Sequence, residues 1–242
     1  MNVLIRYGDE EALCRVRETP AVTSLIRIHV YPDGSVEIEA PPDRSRDQIQ
    51  KAAQRRARWV FEHRHAASRA RELCMQREYV SGETHFYLGR RHKLIVTTAP
   101  RDASSVKLMR GRIEVLVPVA DPAAVRRRLK EWYLIRANDY LSRKLSDWSS
   151  RLPWVLEPPG MRLVSMRTQW GSCSPEGVIH LNPALVRAPR HCIEYVVLHE
   201  LCHLVKHNHS KKFYALLDRH MPQWQKVKSE LDGLAELILA DR

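Results

Sequence analysis

The chain has 242 residues, enough for one large domain or two small ones with a substantial core. No window approaches 18 consecutive apolar residues and MNVLIRYGDE carries no basic leader ahead of an apolar run, so neither a membrane span nor export is expected, and a cytoplasmic protein is. The net charge of +12 favours polyanions or acidic partners through long-range steering, without specifying a function.

The five cysteines, Cys14, Cys74, Cys173, Cys192 and Cys202, are odd in number and form no C-x-x-C pair. Neither a cysteine zinc site nor a disulfide framework is indicated, and reduced thiols are expected.

Four short runs of alternating polarity open the chain: Val3 to Tyr7, Ala12 to Val16, Leu25 to Tyr31 and Ser35 to Ala40. Asp33-Gly34 is a hairpin signal between the last two, and an antiparallel sheet is expected. Ser45 caps a long basic helix from about Arg46 to Leu73, with Ile49, Ala52, Ala53, Ala57, Val60 and Phe61 toward the core. Strands return at Thr84 to Leu88, His92 to Thr98, Ser105 to Met109 and Arg112 to Pro118. Asp121-Pro122 then opens a second long helix ending near Ser149. The basic residues gather on these helices, in Lys51, Arg55, Arg56, Arg58, Arg64, Arg69 and Arg71 and in Arg126, Arg127, Arg128 and Lys130. A solvated face is the simpler reading of both clusters, and binding of a polyanion or nucleic acid is the alternative. No internal repeat or low-complexity tract is visible.

Beyond Pro153, Pro158 and Pro159 the pattern predicts a strand at Leu163 to Thr168, a turn at Ser172 to Gly177 and a strand at Val178 to Leu181. The second strand is placed to pair with an extended substrate by strand addition, or to be an ordinary interior strand. The fold class is α+β. Residues 1–118 read as a β-rich amino-terminal region with one long basic helix, and residues 119–242 as a metal-binding catalytic region.

Ile193, Val196, Val197, Leu198, Leu201, Leu204 and Val205 recur at helical spacing, with no Gly or Pro before Asn208. On that helix sit His199, Glu200 and His203, the H-E-x-x-H pattern. Positions four apart lie about 40° apart around the axis and ~6 Å along it, so both imidazoles reach one ion, while Glu200 addresses water beside it. Zinc suits imidazoles, and a catalytic zinc keeps three protein ligands and one open position. His207 would lie ~8 to 9 Å along the axis from an ion held by that pair, too far to ligate it. His209 becomes the third ligand if the helix stops near Asn208 and Ser210 caps a new one, and Glu230 or Glu236 is the alternative. A short helix over Lys211 to His220 and a final one over about Gln223 to Ala240 complete the chain.

Trp170-Gly171-Ser172-Cys173, Ile179, Asn182, Pro189, His199-Glu200-Leu201-Cys202-His203, Asn208-His209-Ser210, Phe213 and Trp224 together resemble the YgjP-like metallopeptidase family, relatives of the SprT and WLM zinc-protease domains. The resemblance implies a zincin-like core carrying the H-E-x-x-H helix, ligands at His199, His203 and His209, Glu200 as acid and base, and a site shaped by Trp170, Gly171 and Ser172. Ile179 and Asn182 join those three as expected substrate-binding residues. The His203 to His209 spacing equals that of metzincins, but Lys206 stands at the place of their turn glycine, so the chain is not assigned to them.

A zinc-dependent peptidase acting on protein or peptide substrates is therefore expected, with Arg167, His207, Tyr214 and His220 as unranked candidates for stabilising the oxyanion. A metal-dependent triphosphate hydrolase using Arg162, Arg167 and Arg187 is the competing activity, although no P-loop is present. A protease recruited to nucleic acid by its basic helices is a third reading.

Overall fold

Alternation of polar and apolar side chains produces the first eight strands close to where the sequence predicts them. A computed structural model describes residues 1–18, 26–31, 34–73, 77–100, 103–166 and 169–239, with backbone alone at 66–73 and 236. The chain forms two compact units, Met1–Met75 and Gln76–Asp241.

In the first unit, β1 (Asn2–Tyr7), β2 (Glu10–Glu18), β3 (Arg27–Val30) and β4 (Val36–Ala40) form a sheet in the order β1-β2-β4-β3. The sheet is mixed rather than wholly antiparallel: β2 and β4 run parallel, with Cys14 opposite Val36 and Val16 opposite Ile38. That register puts four apolar side chains on one buried face. Asp33 of the expected hairpin turn lies outside the described residues, as does Cys74. The long basic helix is two helices, α1 (Arg46–Arg55) and α2 (Ala57–Leu73). Ser45 and Gln48 form a reciprocal capping box at the start of α1, and at Arg56 the backbone N–H is shared between the carbonyls of Ala53 and Gln54. Ile49, Ala53, Ala57, Val60 and Phe61 are buried on either side of this break. On the outer face, Lys51 pairs with Asp47 at 2.8 Å and Arg58 with Glu62 at 2.8 Å, the local pairing of a solvated helix.

The second unit repeats the strand plan of the first. β5 (Thr84–Tyr87), β6 (Arg90–Thr98), β7 (Ser105–Met109) and β8 (Arg112–Val117) lie in the order β5-β6-β8-β7, again antiparallel, parallel, antiparallel, and a long helix follows. The repeat escapes a reading of residues because it is one of strand order, carried by different side chains. The helix is α3 (Pro122–Ser149), capped by Asp121, whose carboxylate accepts from the N–H of Ala124. The sequence pattern draws a division at 118/119. The structure moves it to Gln76, because Leu94, Ile113, Val115 and Val117 of the β5–β8 sheet share one core with Val125 and Leu129 of α3 and with Val197 and Leu201. A sheet face parted from the helix that covers it would be exposed.

A third sheet consists of β9 (Met161–Leu163), β10 (Gly171–Cys173) and β11 (Ile179–Leu181), in the order β10-β11-β9. After a 3₁₀ turn at Pro183–Arg187 come α4 (Arg190–His203), α5 (Lys211–His220) and α6 (Trp224–Leu239). Nine of the fourteen residues of α4 are buried, so it is the central helix of the unit rather than an amphipathic surface helix. Its start is anchored by the β5–β6 turn: Leu88 and Gly89 donate to the carbonyls of Val186 and Arg187, and a Cβ on Gly89 would come within 2.7 Å of the Pro189 backbone. Among the described residues no helix is long and apolar enough to cross a membrane.

Candidate metal centre

His199, Glu200 and His203 occupy the last turn of α4, which ends at His203 rather than near Asn208. Bonds from Val205 and Lys206 to the Cys202 carbonyl close the turn, and α5 begins at Lys211 with Ser210 at its N-cap. The early stop carries His209 back over the helix. His209 Nε2 lies 3.0 Å and His203 Nε2 3.3 Å from His199 Nε2, and the ligand atoms of the three imidazoles all lie within 4.8 Å of one another.

The trio fits a zinc ion. Two nitrogens at ~2.0–2.1 Å from a tetrahedral zinc stand ~3.3 Å apart, which is the spacing found. The Nδ1–H of His203 donates to the Lys206 carbonyl at 3.0 Å, leaving its Nε2 lone pair facing the other rings. Burial, and then His203, His209 and Lys228, hold the His199 pKa down to about 3, so this ring stays unprotonated. Burial also lowers the pKa of His203. The fully buried Phe213 lies against all three imidazoles, with centroid separations of 4.9, 4.7 and 4.7 Å.

Glu200 points into the protein and is 5 % exposed, and burial lifts its carboxyl to about 8. Gly171 makes room for it: a Cβ there would come within 2.8 Å of both Cγ and Oε1 of Glu200. The same burial, with the Glu200 charge, pushes the Cys202 thiol up to about 12, as suits a small buried hydrophobe.

Other expectations are revised. The hairpin next to α4 is β10–β11, not a strand at 163–168 paired with 178–181. Gly171 faces Leu181 and Cys173 faces Ile179, while β9 runs parallel to β11 on its other side. Val164 to Met166 are not in a strand, and Arg167 and Thr168 lie outside the described residues. Paired on both sides, β11 has no edge for a substrate, whereas β10 has a neighbour on one side only among the described strands. Ile179 is fully buried, and Asn182, 3 % exposed, ties a loop together. The Asn182 side chain donates to the carbonyls of Met166 and Gln169 and accepts from the N–H of Ala184. Its backbone N–H meets the carbonyl of the half-buried Trp170. Ser172 sits on β10 opposite His180.

His207 is exposed beside the trio without joining it. Glu230 pairs with His191 at 2.8 Å, at the opposite end of α4, and the Glu236 side chain lies outside the described atoms. His220 stands edge-on to Trp154, whose indole N–H donates to the Leu201 carbonyl. Arg187 is committed elsewhere, donating to the Ile238 carbonyl and lying 4.4 Å over the Tyr133 ring. That removes one of the cations a triphosphate would need. His191, Cys192 and Glu230 form a second grouping of donor atoms. Burial, and then Glu230, push the Cys192 thiol up to about 12, and His191 Nε2 lies 2.8 Å from a Glu230 carboxylate oxygen beside it.

Two solved structures resemble part of the chain. The metallopeptidase zymogen abylysin of Pyrococcus abyssi is 21 % identical over 39 % of this chain and 90 % of its own, with a TM-score of 0.32. The metallopeptidase zymogen jannalysin of Methanocaldococcus jannaschii is 19 % identical over 40 % of this chain and 94 % of its own, with a TM-score of 0.33. Comparison with curated proteins returned no match. The model of the YgjP-like metallopeptidase domain matches residues 24–233, and the chain belongs to that family.

Proposed function

We propose that the chain is a zinc-dependent endopeptidase in which His199, His203 and His209 hold the metal and Glu200 moves the proton. The observation that carries this reading is that the Nε2 atoms of His203 and His209 lie 3.3 and 3.0 Å from that of His199, with one ligand atom of each ring within 4.8 Å of the others. A zinc ion held there supplies a Lewis acid that acidifies water and polarises a carbonyl.

The chain's own residues do the rest. Glu200, next to His199 in the chain and buried, takes the proton of the attacking water and passes it to the leaving amine. Gly171 keeps the space in which the carboxyl lies. Among the described strands β10 has a neighbour on one side only, and that edge offers main-chain N–H and C=O groups to an extended peptide, a mode that needs no chain terminus and so supports internal cleavage.

The test is hydrolysis of an unfolded protein and of nucleoside triphosphates by the metal-loaded chain, with and without chelator. Cleavage of the protein alone, abolished by chelator, is expected. Triphosphate hydrolysis without peptide cleavage would overturn the reading.

A further inference from the structure

Trp224 belongs to the family pattern without a role in the chemistry above, and the packing of rings gives it one. His209 is the only member of the trio outside α4. It sits exposed between α4 and α5, and Ser210, at the N-cap of α5, makes no side-chain capping bond. The His209 ring meets the fully buried Phe213 edge-on at 4.7 Å. His209 stacks on Tyr214 with centroids 6.2 Å apart and planes 28° apart. Tyr214 stacks on Trp224 at 5.3 Å and 13°, and Trp224 on Tyr195 at 6.3 Å and 7°. Tyr195 meets His199 edge-on at 5.8 Å, closing a belt of rings from the imidazole outside the helix to the one inside it. Trp224 and Tyr195 are buried, and the Trp224 indole N–H donates to Asp218 Oδ1 at 2.7 Å, so the middle of the belt is fixed. Tyr214, 37 % exposed, joins that fixed part to His209.

We infer that Tyr214, backed by Trp224, is a positioning residue that holds the His209 ring with Nε2 toward the other two imidazoles. This rests on the metal-site reading proposed above. Each rotation of the His209 side chain away from the trio withdraws its lone pair from the ion. A flat ring stacked on one face disfavours those states, so metal affinity rises through pre-organisation. The stack needs an aromatic face and not the phenol hydroxyl.

The experiment measures zinc affinity of the metal-free chain by competition with a chromophoric chelator, together with the visible spectrum of the cobalt(II) form. Wild type, Tyr214→Phe, Tyr214→Leu and His209→Ala are compared. Wild type and Tyr214→Phe bind equally. Tyr214→Leu binds about 10- to 100-fold more weakly, the cost of losing a group that orients a ligand. Its cobalt bands lose intensity as coordination departs from tetrahedral, while the metal-free melting temperature is unchanged. If His209→Ala weakens binding and Tyr214→Leu does not, the positioning role is overturned and the metal site stands. If Tyr214→Phe is as weak as Tyr214→Leu, the hydroxyl is responsible and the stacking argument is overturned. Should the wild type hold no zinc, or His209→Ala hold it as tightly as the wild type, the metal-site reading falls and this inference with it.

Discussion

Replacing Gly171 by alanine perturbs the site through one methyl group. That methyl would lie 2.8 Å from Cγ and Oε1 of Glu200 and 3.0 Å from Cδ. Non-bonded carbons rest ~3.5–4.0 Å apart, so the carboxyl must retreat by roughly 0.7 Å or more. The Gly171 backbone is not in the left-handed region, so alanine brings no strain of its own. It would instead add ~0.4–1 kcal/mol by restricting the unfolded chain. Against this stands ~1–3 kcal/mol for overpacking a buried site, a net loss on the order of 1–2 kcal/mol. Activity responds more strongly, because a displacement near 1 Å of a catalytic group costs ~10²-fold. The assay is kcat/KM on a fluorogenic unfolded protein, with zinc content and chemical denaturation measured on the same samples. Zinc content is expected to hold while activity falls about a hundredfold. In a double-mutant cycle, Glu200→Ala opens the space the methyl needs, so the double variant is less destabilised than the sum of the singles by ~1–3 kcal/mol. Wild-type activity in Gly171→Ala, or a strictly additive cycle, would refute the packing argument.

Further expectations concern separate parts of the molecule. Glu200→Gln retains zinc and loses ~10²–10⁴-fold in kcat/KM, measured as peptide cleavage alongside metal content. Asn182→Ala removes three buried hydrogen bonds and costs ~2–4 kcal/mol in denaturant unfolding, and full stability would show that the loop is held by something else. Burial raises Cys14 to about 11 and Cys192 to about 12, so the folded state holds both thiols protonated. Stability from these groups is present below their unfolded pKa near 9 and is lost as pH climbs through the folded values. At pH 8 neither native thiol is expected to react with maleimide, and both react after denaturation. Rapid native labelling identified by mass spectrometry at either position would contradict their burial.

The parts of the account that sequence could reach were local. His199, Glu200 and His203 are four residues apart or fewer on an unmistakably apolar helix, and α3 is announced by Asp121, Pro122 and a regular apolar stripe. The place of His209 was readable only through chain-terminating signals: Asn208 and Ser210 mark a break, although α4 stops earlier, at His203, where the sequence has no Gly or Pro to show it. Strand partners were less legible, since pairing depends on residues distant in the chain. Nothing within Val36 to Ala40 says that it runs parallel to Glu10–Glu18, and nothing in Gly171–Cys173, three small residues, announces an edge strand. Gly171 itself stood out in the pattern, but its reason, the Glu200 carboxyl lying against it, appears only when β10 is laid beside α4. Ile179 and Asn182 are buried, and a residue that holds a site together leaves the same mark in a sequence as one that touches a substrate. The unit boundary at Gln76 was hidden for a related reason: the β5–β8 sheet resembles the first sheet in pattern, yet its core is shared with the helices that follow.

Zinc-edge X-ray absorption on the purified chain tests the central claim most directly. Three imidazoles and one further light atom at ~2.0–2.1 Å, with no sulfur in the shell, are predicted for the wild type, with one imidazole fewer in His209→Ala. Sulfur scattering, or an unchanged shell after loss of His209, would contradict the claim that these three histidines hold the metal.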